Sequence, residues 1–103
     1  MAREKLDAAA VADALAQLEG WTLDGEGGSI SRSFVFRNFS EAFAFMTRSA
    51  LAAEKLAHHP EWFNVYKRVD VTLSTHDAEG LTELDFELAR RMNRFASGGS
   101  VSV

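Results

Sequence analysis

Apolar spacing along this 103-residue chain alternates between the period of a helix and that of a strand, and the order of the changes leaves few folds open. Leu6 to Glu19 has a helical period through Val11, Leu15 and Leu18, with Asp7 placed to cap the first turn and Gly20 placed to stop the last. Trp21 to Leu23 is a short apolar run, and Asp24-Gly25-Glu26-Gly27-Gly28 after it is the strongest turn signal in the chain. Ser29 to Phe36 alternates, with Ile30, Phe34 and Phe36 sharing a face with Arg32 while the serines face away, as in the return strand of a hairpin. Asn38 or Ser40 can cap a second helix, Asn38 with Glu41 at capping-box spacing. Its stripe runs Phe43, Met46, Ala50, Ala53 and Ala57, widened by Phe45, Leu51 and Leu56, which predicts the most buried of the helices. Pro60, the only proline, ends it, because the residue before a proline is pushed out of helical geometry. Trp62 to Tyr66 and Val69 to Ser74 alternate as two strands joined at Lys67-Arg68. Thr82 caps a last helix carrying Leu81, Leu88, Met92 and Phe95, and Ser97 to Val103 reads as a loose tail.

The order α-β-β-α-β-β-α, with tight connections inside each strand pair, predicts one α+β domain over residues 1–103. Its two layers are a four-stranded antiparallel sheet and three helices on one face of that sheet. Surface scaling gives roughly 16,500 Å² exposed when unfolded against about 5,800 Å² folded, enough burial for one modest core. Four strands in so short a chain leave edges that a homodimer or homotetramer could pair. The absence of cysteine removes disulfides, thiolate zinc sites and thiol nucleophiles, and fits a reducing cytoplasm. A net charge of −4 repels a phosphate backbone, so nucleic acid is not an expected direct partner. No apolar run approaches the roughly 18 residues needed to span a bilayer, and Met1 to Ala10 lacks the apolar core of a signal peptide, so no membrane association is expected.

The chemistry concentrates in one window. His58, His59 and His76, the only histidines, lie within nineteen residues. A two-residue turn at Lys67-Arg68 would make paired residue numbers sum to 135, setting His59 opposite His76 with His58 beside them. Such imidazoles can cap helix and strand ends, bind a metal, or exchange protons near neutral pH. Metal is disfavoured, because adjacent histidines project in different directions and no HxxxH or HxH pair is present. Asp85 interrupts the apolar stripe Leu81, Leu88, Met92, and serves either as a first-turn cap after Thr82 or as an inward carboxylate. Glu54 stands one turn before His58, as its hydrogen-bond partner or as half of an exposed pair. Trp21 and Trp62 read as core. No phosphate loop or nucleophile elbow is present.

At Glu54-Lys55-Leu56-Ala57-His58-His59-Pro60-Glu61-Trp62-Phe63-Asn64-Val65-Tyr66 and Thr72-Leu73-Ser74-Thr75-His76 the chain resembles the pterin-4a-carbinolamine dehydratases, also called dimerisation cofactors of a homeodomain transcription factor. Ala42 to Arg48 and Gly80 to Asp85 fit as well, so the likeness spans roughly Gly20 to Ala89. It implies a hydro-lyase that removes water from a 4a-hydroxytetrahydropterin to give the quinonoid dihydropterin, recycling the cofactor of aromatic amino acid hydroxylases. The pterin is then substrate, with no separate cofactor and no metal. The resemblance makes His58 and His76 the proton donors on either face of the ring and His59 mainly a binding residue. It adds Glu54, Pro60, Ser74, Thr75 and Asp85 to the pocket. Ala57 departs from an acidic residue common before the histidine pair, and Arg90-Arg91-Met92-Asn93-Arg94 departs from the family's usual C-terminal helix. The competing expectation is a binding, assembly or transcriptional co-regulator protein of the same fold. The three intact histidines favour the enzyme.

Overall fold

A computed structural model describes residues 3–98. Its elements are α1 (Ala8–Ala16), β1 (Thr22–Leu23), β2 (Ile30–Val35), α2 (Phe39–Leu56), β3 (Glu61–Val65), β4 (Arg68–Leu73), a 3₁₀ turn (His76–Ala78) and α3 (Glu83–Ala96). The expected α-β-β-α-β-β-α order holds, with the short 3₁₀ turn added before α3. The four strands form one antiparallel sheet in the order β1-β2-β4-β3. Val69, Val71 and Leu73 of β4 and Ile30 and Phe34 of β2 are buried, while the residues between them are not, so the sheet has one covered face. Phe45 of α2 packs on this face, its ring 4.6 Å from that of Phe34 and 5.0 Å from that of Phe36. Among the described residues no helix is long and apolar enough to cross a membrane.

The first helix is shorter than its periodicity suggests. Asp7 caps it, its carboxylate accepting the Ala10 N–H at 2.8 Å, and it ends at Ala16, followed by 3₁₀-type bonds from Gln17 to Ala14 and from Leu18 to Leu15. Leu6, just outside, donates its N–H to the Leu81 carbonyl at 2.8 Å and so straps the N-terminal segment to the start of α3. Gly20 has φ +87°, and a β-carbon there would stand 2.7 Å from the Arg32 guanidinium. That guanidinium and the Trp21 indole N–H both donate to Asn93 Oδ1, at 2.8 and 2.7 Å, while the Asn93 amide donates to the Glu19 carbonyl at 2.9 Å. Asn93, part of the unusual C-terminal stretch, therefore ties α3 to β2 and to the turn after α1.

Two expectations for α2 are corrected. Asn38 is its cap, accepting the Glu41 N–H at 2.9 Å, but the Glu41 carboxylate reaches the Arg37 N–H rather than closing a box on Asn38. The buried face is Ala42, Phe45, Ser49, Ala52 and Ala53, whereas Phe43 and Leu51 are 56% and 68% exposed and Ala50 and Ala57 face outward. Small side chains let α2 approach α3 closely, and that packing turns the bulkier residues away. The most buried helix is instead α3, through Leu84, Asp85, Phe86, Leu88, Ala89 and Met92.

The β3–β4 turn also differs. Val65 pairs with Arg68 and Glu61 with Thr72, so Tyr66-Lys67 form the turn and Lys67-Arg68 do not. Tyr66 takes the left-handed conformation, φ +51°, and the Asn64 amide donates to the carbonyls of Tyr66 and Arg68 at 3.2 and 2.9 Å. This local bonding outweighs turn propensity and moves the register off the 135 sum, so the predicted pairing of His59 with His76 does not form. After α3, Ser97 and Gly98 make a turn; the rest of the expected tail, 99–103, lies outside the described residues.

The buried Ser49 hydroxyl has no hydrogen-bond partner among the described residues. Ser49→Ala should therefore raise stability by about 1 kcal/mol, read as a higher urea midpoint at unchanged slope. A lower midpoint would show that the hydroxyl is satisfied.

Candidate active site

The site begins where α2 stops. Ala57 takes a left-handed conformation, φ 53° and ψ 41°, and the N–H groups of His58 and Ala57 close back on the carbonyls of Ala53 and Glu54 at 3.0 and 3.1 Å. This is a Schellman motif, built here on alanine instead of the usual glycine. The helix thus ends before Pro60 can act on it, and the reversal sends His58 inward, leaving the residue only 5% exposed.

His58 meets a carboxylate prepared by α3. Its Nε2 lies 2.6 Å from Oδ1 of Asp85, a residue with no exposed surface. Asp85 Oδ2 accepts the Thr82 N–H at 2.9 Å and the Thr75 hydroxyl at 2.8 Å. Because Thr75 gives its single proton to Asp85, the Thr82 hydroxyl 2.8 Å away must donate to Thr75, and it accepts the Leu84 N–H in turn. Both oxygens of Asp85 and the hydroxyls of Thr75 and Thr82 are thereby engaged, as a buried carboxylate requires. An ionised carboxylate only accepts, so Nε2 of His58 carries the proton and Nδ1 is left for other partners. The two sequence readings of Asp85 are therefore both correct: one oxygen completes the capping box of α3 and the other holds the imidazole.

His59 and His76 repeat the pairing at the surface. His59 Nε2 lies 2.8 Å from Oε1 of Glu54, and His76 Nε2 lies 3.0 Å from Oε2 of Glu61. Glu54 is thus the partner of His59, not of His58, because the left-handed turn at Ala57 folds His59 back over the end of the helix. His76 opens the 3₁₀ turn, whose ends are held by Thr75 N–H donating to the Gly80 carbonyl at 2.9 Å. A cleft of about 230 Å³ lies between these segments, lined by His58, His59, His76, Ser74 and Thr75 together with Arg3, Ala57 and Asp77. The Arg3 guanidinium crosses its edge and donates to the Ala57 carbonyl at 2.8 Å.

Of the residues expected at the site, the three histidines, Ser74 and Thr75 line the cleft; Asp85 stands behind His58, and Glu54 joins through His59. Pro60 does not line it and instead leads from His59 into β3. Sequence reading missed Arg3, Asp77, Thr82 as a member of the network, and Glu61. Thr82 had a signal as the cap of the last helix and Glu61 only its place between Pro60 and the alternating Trp62–Tyr66 segment; Arg3 is 54 positions from the residue it touches. A larger groove of about 700 Å³ between α1 and the β1–β2 turn is lined mainly by apolar side chains and holds none of the three histidines. Among the described residues no group of three or more histidine, cysteine or acidic side chains is arranged to hold a metal ion.

Fold and site together define a two-layer α+β protein with a cleft of imidazole–carboxylate pairs. The family described as pterin 4 alpha carbinolamine dehydratase matches residues 4–95, and the chain belongs to it. A protein of Sinorhizobium medicae with a provisional pterin-4-alpha-carbinolamine dehydratase name is 66% identical over 98 residues, covering 95% of this chain and 93% of its own length. A Mesorhizobium japonicum relative with the same provisional name is 65% identical over 98 residues, 95% of this chain and all of its own. The crystal structure of a transcriptional coactivator/pterin dehydratase from Brucella melitensis superposes with a TM-score of 0.88 at 53% identity, over 90% of this chain and 99% of that one. A pterin dehydratase-like RuBisCO assembly factor of the alpha-carboxysome shares the fold, with a TM-score of 0.66 at 22% identity over 76% of this chain and 90% of its own.

Asp85→Asn should lower stability by about 2 kcal/mol, well beyond the loss of an exposed cap, because an amide leaves at least one member of the buried network mismatched. Chemical denaturation of the variant measures this, and a loss under about 0.5 kcal/mol would show that the network tolerates a neutral partner.

Proposed function

We propose that this chain dehydrates 4a-hydroxytetrahydropterins to quinonoid dihydropterins by histidine acid–base catalysis, recycling the tetrahydropterin used by aromatic amino acid hydroxylases. The observation that carries the reading is the His58–Asp85 pair, sealed on one side and open to the cleft on the other, in a member of this family. The reaction breaks the C4a–O bond. The leaving hydroxyl takes a proton and departs as water, the lone pair of the adjacent ring nitrogen forms the new double bond, and that nitrogen gives up its proton. An acid and a base are needed, and the nitrogen lone pair supplies the push.

In this reading His58 and His76 deliver protons from opposite faces of the ring, each held in orientation by its carboxylate. His59, tethered to Glu54, mainly binds the pterin, with Ser74 and Thr75 supplying polar contacts. Proton exchange between Nδ1 of His58 and the ligand is compatible with Nε2 staying on Asp85. Self-association as a dimer or tetramer belongs to the same reading, supported by the bare edges of β1 and β3 and by Phe39, Phe43 and Leu51 on the outer side of α2. A cytoplasmic setting and the absence of a nucleic-acid partner are expected on composition. A binding-only role leaves three imidazole–carboxylate pairs without a task.

The test is dehydration of synthetic 4a-hydroxytetrahydropterin. His58→Ala and His76→Ala should each lower turnover by about 10²-fold or less and the double variant by much more, as for two partly redundant acids. Wild-type turnover in the double variant would remove the histidine mechanism.

Dialysis against a strong chelator should leave turnover unchanged, since each Nε2 is engaged by a carboxylate and no thiolate exists to complete a zinc site. Activity lost and restored only by zinc would overturn that part of the reading.

A further inference from the structure

Each of the three imidazoles offers its Nε2 to a carboxylate, and the carboxylates come from three different elements: Asp85 from α3, Glu54 from α2 and Glu61 from β3. Asp85 is built into the core and Glu54 follows from the helix end. Glu61 has neither origin. It is the first residue of β3, placed by the pairing of Glu61 with Thr72, while His76 is placed by the Thr75–Gly80 bridge at the head of the 3₁₀ turn. The side chains of His76 and Glu61 are 77% and 64% exposed, and their contact at 3.0 Å spans fifteen residues.

An exposed ion pair of this kind adds little to stability. An unrestrained surface imidazole, however, samples several rotamers and two tautomers, and only a fraction of these can meet a bound ligand. From this we infer that Glu61 is a positioning residue for His76. Its carboxylate accepts the Nε2 proton, holds the ring at the cleft and leaves Nδ1 as the nitrogen that exchanges a proton with the pterin. His76 thereby presents the same free nitrogen as His58, whose Nε2 is committed to Asp85. The inference rests on the dehydratase reading for its catalytic consequence, though not for the pair itself.

Two substitutions and two readouts test it. Glu61→Ala should lower kcat about two- to five-fold, the range expected for losing one exposed pair, with KM changed by less than about two-fold. Glu61→Gln should lose less, because its amide oxygen can still accept from Nε2. In a His76→Ala background neither substitution should reduce kcat further. In ¹⁵N spectra of the histidine rings, Glu61→Ala should move the His76 signals and leave those of His58 in place. An equal loss of kcat without His76, or unmoved His76 ring signals, overturns the assignment. If the native protein does not dehydrate 4a-hydroxytetrahydropterin, the dehydratase reading fails by itself and the ring signals still decide whether Glu61 holds His76.

Discussion

Asp85 has no contact with solvent, and a carboxylate in that position is tolerable only because both oxygens are occupied. Oδ2 takes the Thr82 N–H that opens α3 and the Thr75 hydroxyl at the end of the β4 segment; Oδ1 takes His58 beyond the end of α2. One residue thereby joins the start of one helix, the exit of a central strand and the stop of another helix. The architecture needs this joint because Ser74 to Leu81 is a loop that would otherwise be fastened chiefly by the Thr75–Gly80 bridge. The cap of α3 and the placement of His58 cannot be separated at this point: whatever holds α3 in register also sets the position of the buried imidazole.

Two backbone reversals then determine what the cleft contains. The left-handed Ala57 ends α2 early enough to turn His58 inward and His59 back toward Glu54, so adjacent residues part into a buried and an exposed environment. The left-handed Tyr66 sets the β3–β4 register that brings Glu61 within reach of His76. Both are non-glycine residues with positive φ, a conformation that costs on the order of 1 kcal/mol for an ordinary side chain. Each is held by local hydrogen bonds from neighbouring residues, at Ala57 the Schellman pair and at Tyr66 the Asn64 amide.

The result is a graded set of imidazoles. His58 is enclosed and its partner is supported by further hydrogen bonds; His59 and His76 stand in solvent, and among the described residues their partners have no such support. One imidazole of the cleft is therefore fixed and two are adjustable. The same face carries Arg3, brought from the far end of the chain by the Leu6–Leu81 strap, so the N-terminal segment helps to wall the cleft.

Element order and the single covered face of the sheet were legible in the sequence, because hydrophobic period and helix caps are local properties that each segment carries with it; the closeness of His58, His59 and His76 was legible only from their short spacing, since the register expected to pair them does not form. Asp7, Asn38 and Thr82 cap as their positions predict, and Ile30, Phe34, Val69, Val71 and Leu73 face the core as their alternation predicts. The tertiary structure alone decided which side of α2 is buried, since close approach to α3 selects Ala42, Ser49 and Ala53 over the more hydrophobic Phe43 and Leu51. It also decided the register of the β3–β4 hairpin, and with it the partners of the histidines. Those pairings join residues 5, 15 and 27 positions apart across a helix stop, a hairpin and a helix start. Distances of that kind depend on packing between elements, which no local pattern encodes.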